Sequence, residues 1–378
     1  MKRSTLFLIG AAFTMVAFFT SCKKEPEVTP APEVAKETSV TINITCWEGY
    51  SNPNVIAAFK ALVKEKYKVD VEVKPFYPTM QDEFYQAAKN GTADLISPPA
   101  DLAKTPRFFC FNEGDLLLAE IDPKNIPNLQ HLLPFFAEDT SLIQNGKRYG
   151  VPYNCGPYGL AYNTDVVKQE PTSWNILWDA KYAGKYTITG TFPKCNFWIA
   201  ALAMGYKYED IFDISKLDRA KLEKKVNALA KNAKSVWLTA DADANEFPGL
   251  AIGTTWGFAA AAANQKGGHW KLAAPKEGGT AWIDYWLMTK AATGLKKTLC
   301  EEWINLQLSP QFQAEVVKNQ GVSPVVDNVG GLVTPDETKM FHVGDNEYFK
   351  TQAIWRVMTP ETEKAFGEIW EASLKLRK

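Results

Sequence analysis

The sequence predicts an α/β protein built from two units, on three observations. Short β-branched strands alternate with amphipathic helices from Val40 to Ser97, the alternation resumes after a turn-rich stretch from Tyr149 to Asn163, and about 340 residues follow the N-terminal leader and its proline-rich tether. That length exceeds one small core and suits one large or two medium domains with room for a cleft between them.

Met1 to Cys22 reads as a lipoprotein export signal. Lys2 and Arg3 lead, Leu6 to Phe19 form an apolar run of about 14 residues, and Thr20-Ser21 place small residues before Cys22, although Phe19 stands where leucine is commoner. The run falls short of the ~18 residues that span a bilayer, so residues 1–21 are expected to be removed. Cys22 then leads the mature chain as the lipidated residue, two acyl chains giving a lasting anchor at about 0.8 kcal/mol per buried methylene. Residues 22–39, with Pro26, Pro30 and Pro32 and little to bury, are expected to be a disordered tether. The folded part is expected in the periplasm or on the extracellular side.

Val40–Cys46 is short and β-branched, and the polar turn Glu48–Pro53 leads into a helix from about Asn54 to Lys66. Val69–Val73 alternates strictly, as a strand. Gln81–Lys89 is helical until Asn90-Gly91 stops it, and Ala93–Ser97 is a third apolar strand. This order implies a parallel sheet, whose ligands sit beyond the carboxyl ends of its strands; here those ends carry Trp47 to Tyr50 and Ser97 to Asp101. Val151–Tyr162, bracketed by turn residues, reads as a crossing strand. Trp174–Tyr182, Lys185–Thr189, helices at about Asn196–Met204 and Asp218–Asn232, and Leu250–Trp256 compose a second α/β unit. Trp282–Met288 is a second crossing strand, and helices at Thr298–Leu306 and Pro310–Asn319 return to the first unit. The expected division is 40–150 with 285–328, and 151–284 with 329–378.

A net charge of −1 argues against a nucleic-acid partner, whose phosphates call for a basic excess. Apart from Cys22 the cysteines are Cys46, Cys110, Cys155, Cys195 and Cys300, an odd set without Cys-x-x-Cys spacing, and buried free thiols are favoured over bridges. His131, His269 and His342 are isolated, so neither a metal centre nor a cofactor is expected. No Gly-x-Ser-x-Gly elbow, His-Glu-x-x-His helix or Gly-x-x-x-x-Gly-Lys loop occurs, which argues against an enzyme.

Eight segments taken in order carry a resemblance: Ile44–Tyr50, Ala93–Pro99, Tyr149–Tyr153, Gly159–Asn163, Ser173–Lys185, Gly253–Trp256, Pro275–Asp284 and Gly321–Pro324. Their order and spacing, over most of the mature chain, resemble the bacterial spermidine/putrescine-binding proteins, receptor subunits of ABC importers among the extracellular solute-binding proteins. The resemblance implies a two-lobed periplasmic-binding-protein fold, each lobe a mixed, mostly parallel sheet flanked by helices. It implies closure on a small ligand in the cleft, permease subunits as membrane partners, and a monomer.

An ammonium group taken out of water needs replacement partners, which indole and phenol faces supply through their quadrupole and a carboxylate through charge and hydrogen bonds. Trp47 with Glu48 and Tyr50, and Trp282 with Asp284, combine the two where the resemblance implies ligand contacts, and Trp256 matches a third aromatic contact. Packing competes for each: most of twelve tryptophans must be structural, and Glu48 suits a helix cap equally well. Asp284 stands between Ile283 and Tyr285 in an otherwise apolar strand, where a carboxylate is costly without a partner.

The departures from the family pattern shape the expected ligand. Thr189–Phe197 holds one base, Lys194, where the family carries acids for the far amine. Pro99-Ala100-Asp101 replaces a Ser-Thr-Tyr turn, losing an aromatic contact and adding a carboxylate if Asp101 faces the cleft, and Val322 replaces a tyrosine. Phe192, Phe197 and Trp198 are expected to add apolar wall. The expected ligand is a cationic amine with one strong cationic end: a different polyamine, a monoamine or a quaternary ammonium compound. Two alternatives keep the fold. One is a ligand-sensing partner of a membrane signalling receptor, which neighbouring genes would distinguish; the other is a different cargo such as a thiamine-like cation.

Overall fold

Alternation of buried and exposed side chains sets the first strand: β1 (Ser39–Thr45) turns Val40, Ile42 and Ile44 inward. The computed structural model describes residues 39–109, 116–239 and 241–377; the export signal, Cys22, nearly all of the tether and Cys110 lie outside the described residues. β2 (Asp70–Phe76) and β3 (Leu95–Ile96) both pair with β1 in parallel. The helix Pro53–Tyr67 joins β1 to β2. Asn52 caps it by accepting the backbone N–H of Asn54 and Val55, Pro53 takes a first-turn position where no N–H is needed, and Val55, Phe59 and Val63 face the core. The helix Asp82–Asn90 joins β2 to β3 and ends at Gly91, whose φ of +65° is one that glycine adopts without strain.

A small hairpin of β4 (Ile143–Gln144) and β5 (Lys147–Arg148) precedes β6 (Gly150–Pro157) and β7 (Gly159–Asn163). β8 (Tyr186–Thr189), β9 (Ser235–Trp237), β10 (Ile252–Thr255) and β11 (Trp270–Ala273) join β7 in a five-stranded sheet of order β11-β7-β10-β8-β9. β12 (Gly279–Met288), β13 (Ser323–Pro324) and β14 (Gln352–Ile354) complete a seven-stranded sheet of order β13-β6-β12-β3-β1-β2, with β14 also on β12. The chain is a two-lobed α/β fold with helices packed on both sheets.

Backbone pairing locates the crossings. At Tyr158 the N–H still bonds Thr280 of the larger sheet, whereas Gly159 is already opposite Thr255 in the smaller one. The expected division after residue 150 therefore falls at the start of β6, all of which pairs in the larger sheet, and the one after 284 falls inside β12. β14, expected with the second unit, pairs with β12. The C-terminal helix Pro360–Lys375 packs on the helix Arg219–Asn232, Ser373 bonding Asn227 at 2.6 Å. Cys46, Cys155, Cys195 and Cys300 are buried free thiols. No helix among the described residues is long and apolar enough to cross a membrane.

Candidate ligand-binding site

The carboxyl ends of strands from both sheets converge on one aromatic wall. Trp47, just past β1, meets Phe192, just past β8, edge to face at 6.2 Å. Phe192 in turn meets Trp256, past β10, at 5.4 Å and Trp355, past β14, at 6.4 Å, while Trp256 and Trp355 lie 5.7 Å apart. All but the tilted Phe192–Trp355 contact are edge-on, setting the positive rim of one ring against the negative face of the next. Trp256 is positioned by Asp241, whose carboxylate accepts the backbone N–H groups of Trp256 (3.1 Å) and Ala259 (3.0 Å) and the Thr255 hydroxyl (2.7 Å). Burial pushes the Asp241 carboxyl up to about 6 against the downward pull of these donors.

Beside the wall lies a buried polar chain. The Tyr50 hydroxyl donates to Asp284 Oδ2 at 2.6 Å with Asn154 Oδ1 at 3.3 Å; Asn154 Nδ2 donates to Gln320 Oε1 at 3.0 Å, and Gln320 Nε2 to the Tyr153 hydroxyl at 3.0 Å. Asp284 sits at a register shift in the β12–β6 ladder and is 3% exposed. Burial pushes its carboxyl up to about 8, the Tyr50 hydrogen bond opposes the shift, and the nearby Asp101 charge adds to it. At neutral pH such a group is mostly protonated.

Asp101, just past β3, forms an ion pair with Lys194 at the start of the helix Lys194–Ala203 in the other lobe. The Lys194 ammonium also donates to Gln81 Oε1 at 3.0 Å and lies 5.2 Å from the Trp355 ring centroid and 5.9 Å from that of Trp198. Asp101 Oδ1 and Gln81 Nε2 are buried with no hydrogen-bond partner among the described residues. A cavity of about 270 Å³ is walled in part by Gln81, Phe192, Lys194, Met358 and Glu363.

The residues singled out in the sequence thus separate. Trp47 and Trp256 share the wall through Phe192, and Tyr50 and Asp284 are bonded to each other. Asp101, expected to offer a carboxylate to the ligand, instead has one oxygen neutralised by the protein's own Lys194, because the base that replaces the family's acids reaches across the gap. Glu48 is exposed, and the cap it was weighed for is supplied by Asn52. Trp282 is buried over Gly156, where a Cβ would stand 2.5 Å from its ring. Phe197 leaves the expected wall and stacks on Phe366 at 4.2 Å; Trp198 is fully buried and packs on Trp355 at 5.3 Å. Trp355, Gln81, Asn154 and Asp241 were missed: each lies alone in its segment, and only Trp355, in the short apolar run Ala353–Trp355, carried a signal.

Residues 90–352 match the family model described as bacterial extracellular solute-binding protein. The chain belongs to this family. This solute-binding protein is a receptor by kinship, not an enzyme. It is 24% identical over 345 residues to the spermidine/putrescine-binding periplasmic protein 1 of Haemophilus influenzae, covering 85% of this chain and 90% of that one. It is 25% identical over 284 residues to the Escherichia coli spermidine/putrescine-binding periplasmic protein, covering 73% and 74%. Its fold matches a spermidine/putrescine ABC transporter substrate-binding protein from Streptococcus pneumoniae with a TM-score of 0.72 at 19% identity, over 89% of this chain and 99% of the other. It also matches a GABA receptor with a TM-score of 0.65 at 20% identity, over 89% and 98%.

Proposed function

We propose that this chain is the extracytoplasmic receptor of an ABC importer and captures a small amine by hinge closure of its two lobes. The observation that carries the reading is Phe192 standing between Trp47 of one lobe and Trp256 of the other, with the Tyr50–Asp284 pair alongside. A ring from each side suits an ammonium group flanked by apolar carbon, each aromatic contact supplying about 0.5 to 2 kcal/mol once water is excluded. The polyamine names of the sequence relatives support the same class of ligand.

In this reading residues 1–21 are removed on export, Cys22 carries the lipid, and residues 22–39 tether a monomer that docks on permease subunits. The lobes centre on the two sheets, with crossings at Tyr158 and between Ala273 and Gly279. Glu48, Trp282 and Asp284 remain its candidate contacts with Trp47, Tyr50, Asp101 and Trp256. Calorimetry against putrescine, spermidine, agmatine, choline and betaines tests it. Saturable heat from at least one amine is expected, and Asp284→Asn is expected to weaken that ligand more than tenfold with the fold intact. Heat from anions or neutral sugars alone would overturn the reading. For the anchor, labelled palmitate should enter the wild type and not Cys22→Ser.

A further inference from the structure

The Lys194 ammonium has three N–H groups to place and is only 14% exposed at its side chain. Asp101 Oδ2 and Gln81 Oε1 take two of them, and among the described residues no third oxygen bonds it. Gln81, whose Oε1 is committed to Lys194, has its Nε2 buried without an acceptor. Two unfilled donors thus lie around a single ammonium, on side chains that both wall the cavity of about 270 Å³. Beside them Asp101, whose side chain is 9% exposed, holds Oδ1 without a donor. Two donors and one acceptor left unmade in one buried cluster are complementary to a ligand that brings acceptors and a donor together.

We infer that the preferred ligand is a zwitterionic amino compound, whose carboxylate is held by Lys194 and Gln81 and whose ammonium is held by Asp101 Oδ1 and the aromatic wall; this deepens the amine reading above and rests on it. A bare diamine brings only donors. Its second ammonium would face the fixed positive charge of Lys194, and the Gln81 amide would stay unsatisfied. A carboxylate reverses both conditions. Of the other charges on the cavity wall, Asp82 is committed to Arg107 at 2.7 Å and Glu363 is exposed to solvent.

The test pairs ligands that differ by one group. Isothermal titration of the purified protein with putrescine against 4-aminobutyrate, and with cadaverine against 5-aminopentanoate, compares a second amine with a carboxylate at equal chain length. The amino acid of at least one pair is expected to bind at least tenfold tighter than its diamine. Lys194→Gln and Gln81→Ala are each expected to remove tenfold or more of that affinity and to narrow the ratio between the amino acid and its diamine. Should Lys194→Gln melt early, Gln81→Ala carries the comparison, being less central to the ion pair. Diamines binding tighter than their amino acids, or both variants binding the amino acids as the wild type does, overturns the inference and leaves the amine reading standing. Absence of binding by every amine, zwitterionic or not, overturns both.

Discussion

Trp47 and Phe192 approach edge to face at 6.2 Å, one past the end of a strand in each sheet, so that rings meet across the gap that the main chain crosses at Tyr158. Trp47 is only half-buried, with Phe84 as its other ring neighbour at 5.0 Å. Trp47→Ala should therefore cost little stability and weaken a cationic ligand by about 3- to 30-fold, the span of one to two partly desolvated ring contacts. Titration calorimetry paired with a thermal melt separates the two effects.

Asp284 makes stability depend on pH in a direction opposite to that of a salt-bridged aspartate. Its native pKa is raised from 3.8 to about 8, so between these values the folded state holds a proton that the unfolded chain releases. Stability contributed by this group is present below pH 4, falls as pH rises toward 8, and is lost above it, with a slope limit of about 1.4 kcal/mol per pH unit. Asp284→Asn keeps the shape and an acceptor for the Tyr50 hydroxyl while removing the titration. Urea unfolding at pH 5 and pH 8.5 should show the variant gaining on the wild type as pH rises.

Ligand capture should report the same proton. A cation brought near Asp284 favours its ionised form, so binding at pH 7 is expected to release up to one proton, and the measured heat should change with the ionisation enthalpy of the buffer. Titrations in phosphate and in Tris check this. The buffer dependence should vanish in Asp284→Asn.

Gly156 lets β6 pass beneath Trp282. An added Cβ would lie 2.5 Å from one ring atom and 2.9 Å from another, and neither the buried indole nor the strand has room to yield. Gly156→Ala should destabilise the fold by about 1 to 3 kcal/mol, read by denaturant unfolding. If Trp282 also lines the ligand, affinity falls in the same variant.

Asn52→Ala offers a contrast within the fold. Loss of the cap on the helix Pro53–Tyr67, together with the 3.3 Å bond from Asn52 to Glu315, should cost about 1 kcal/mol of stability. Ligand affinity should stay within twofold, since the cap lies outside the aromatic wall.

Sequence alone determined what depends on near neighbours along the chain. Alternation in Ser39–Thr45, the Asn52-Pro53 start and the Gly91 stop are local, and they predict strands and helices close to those observed. The same local reading singled out Trp47, Tyr50, Trp256 and Asp284 as candidates, because an aromatic or an acid at the carboxyl end of a strand, or inside an apolar strand, is conspicuous where it stands. Tertiary structure decided everything that joins distant segments. Lys194 and Asp101 are separated by 93 residues, and only the folding of two sheets against each other makes the base neutralise the acid. Trp355 enters the wall because β14 pairs with β12, and Asp241 matters because the start of another helix lies within reach of its oxygens. Pairing partners and the burial of a charge depend on which surfaces meet, and residue type and spacing carry no record of that meeting.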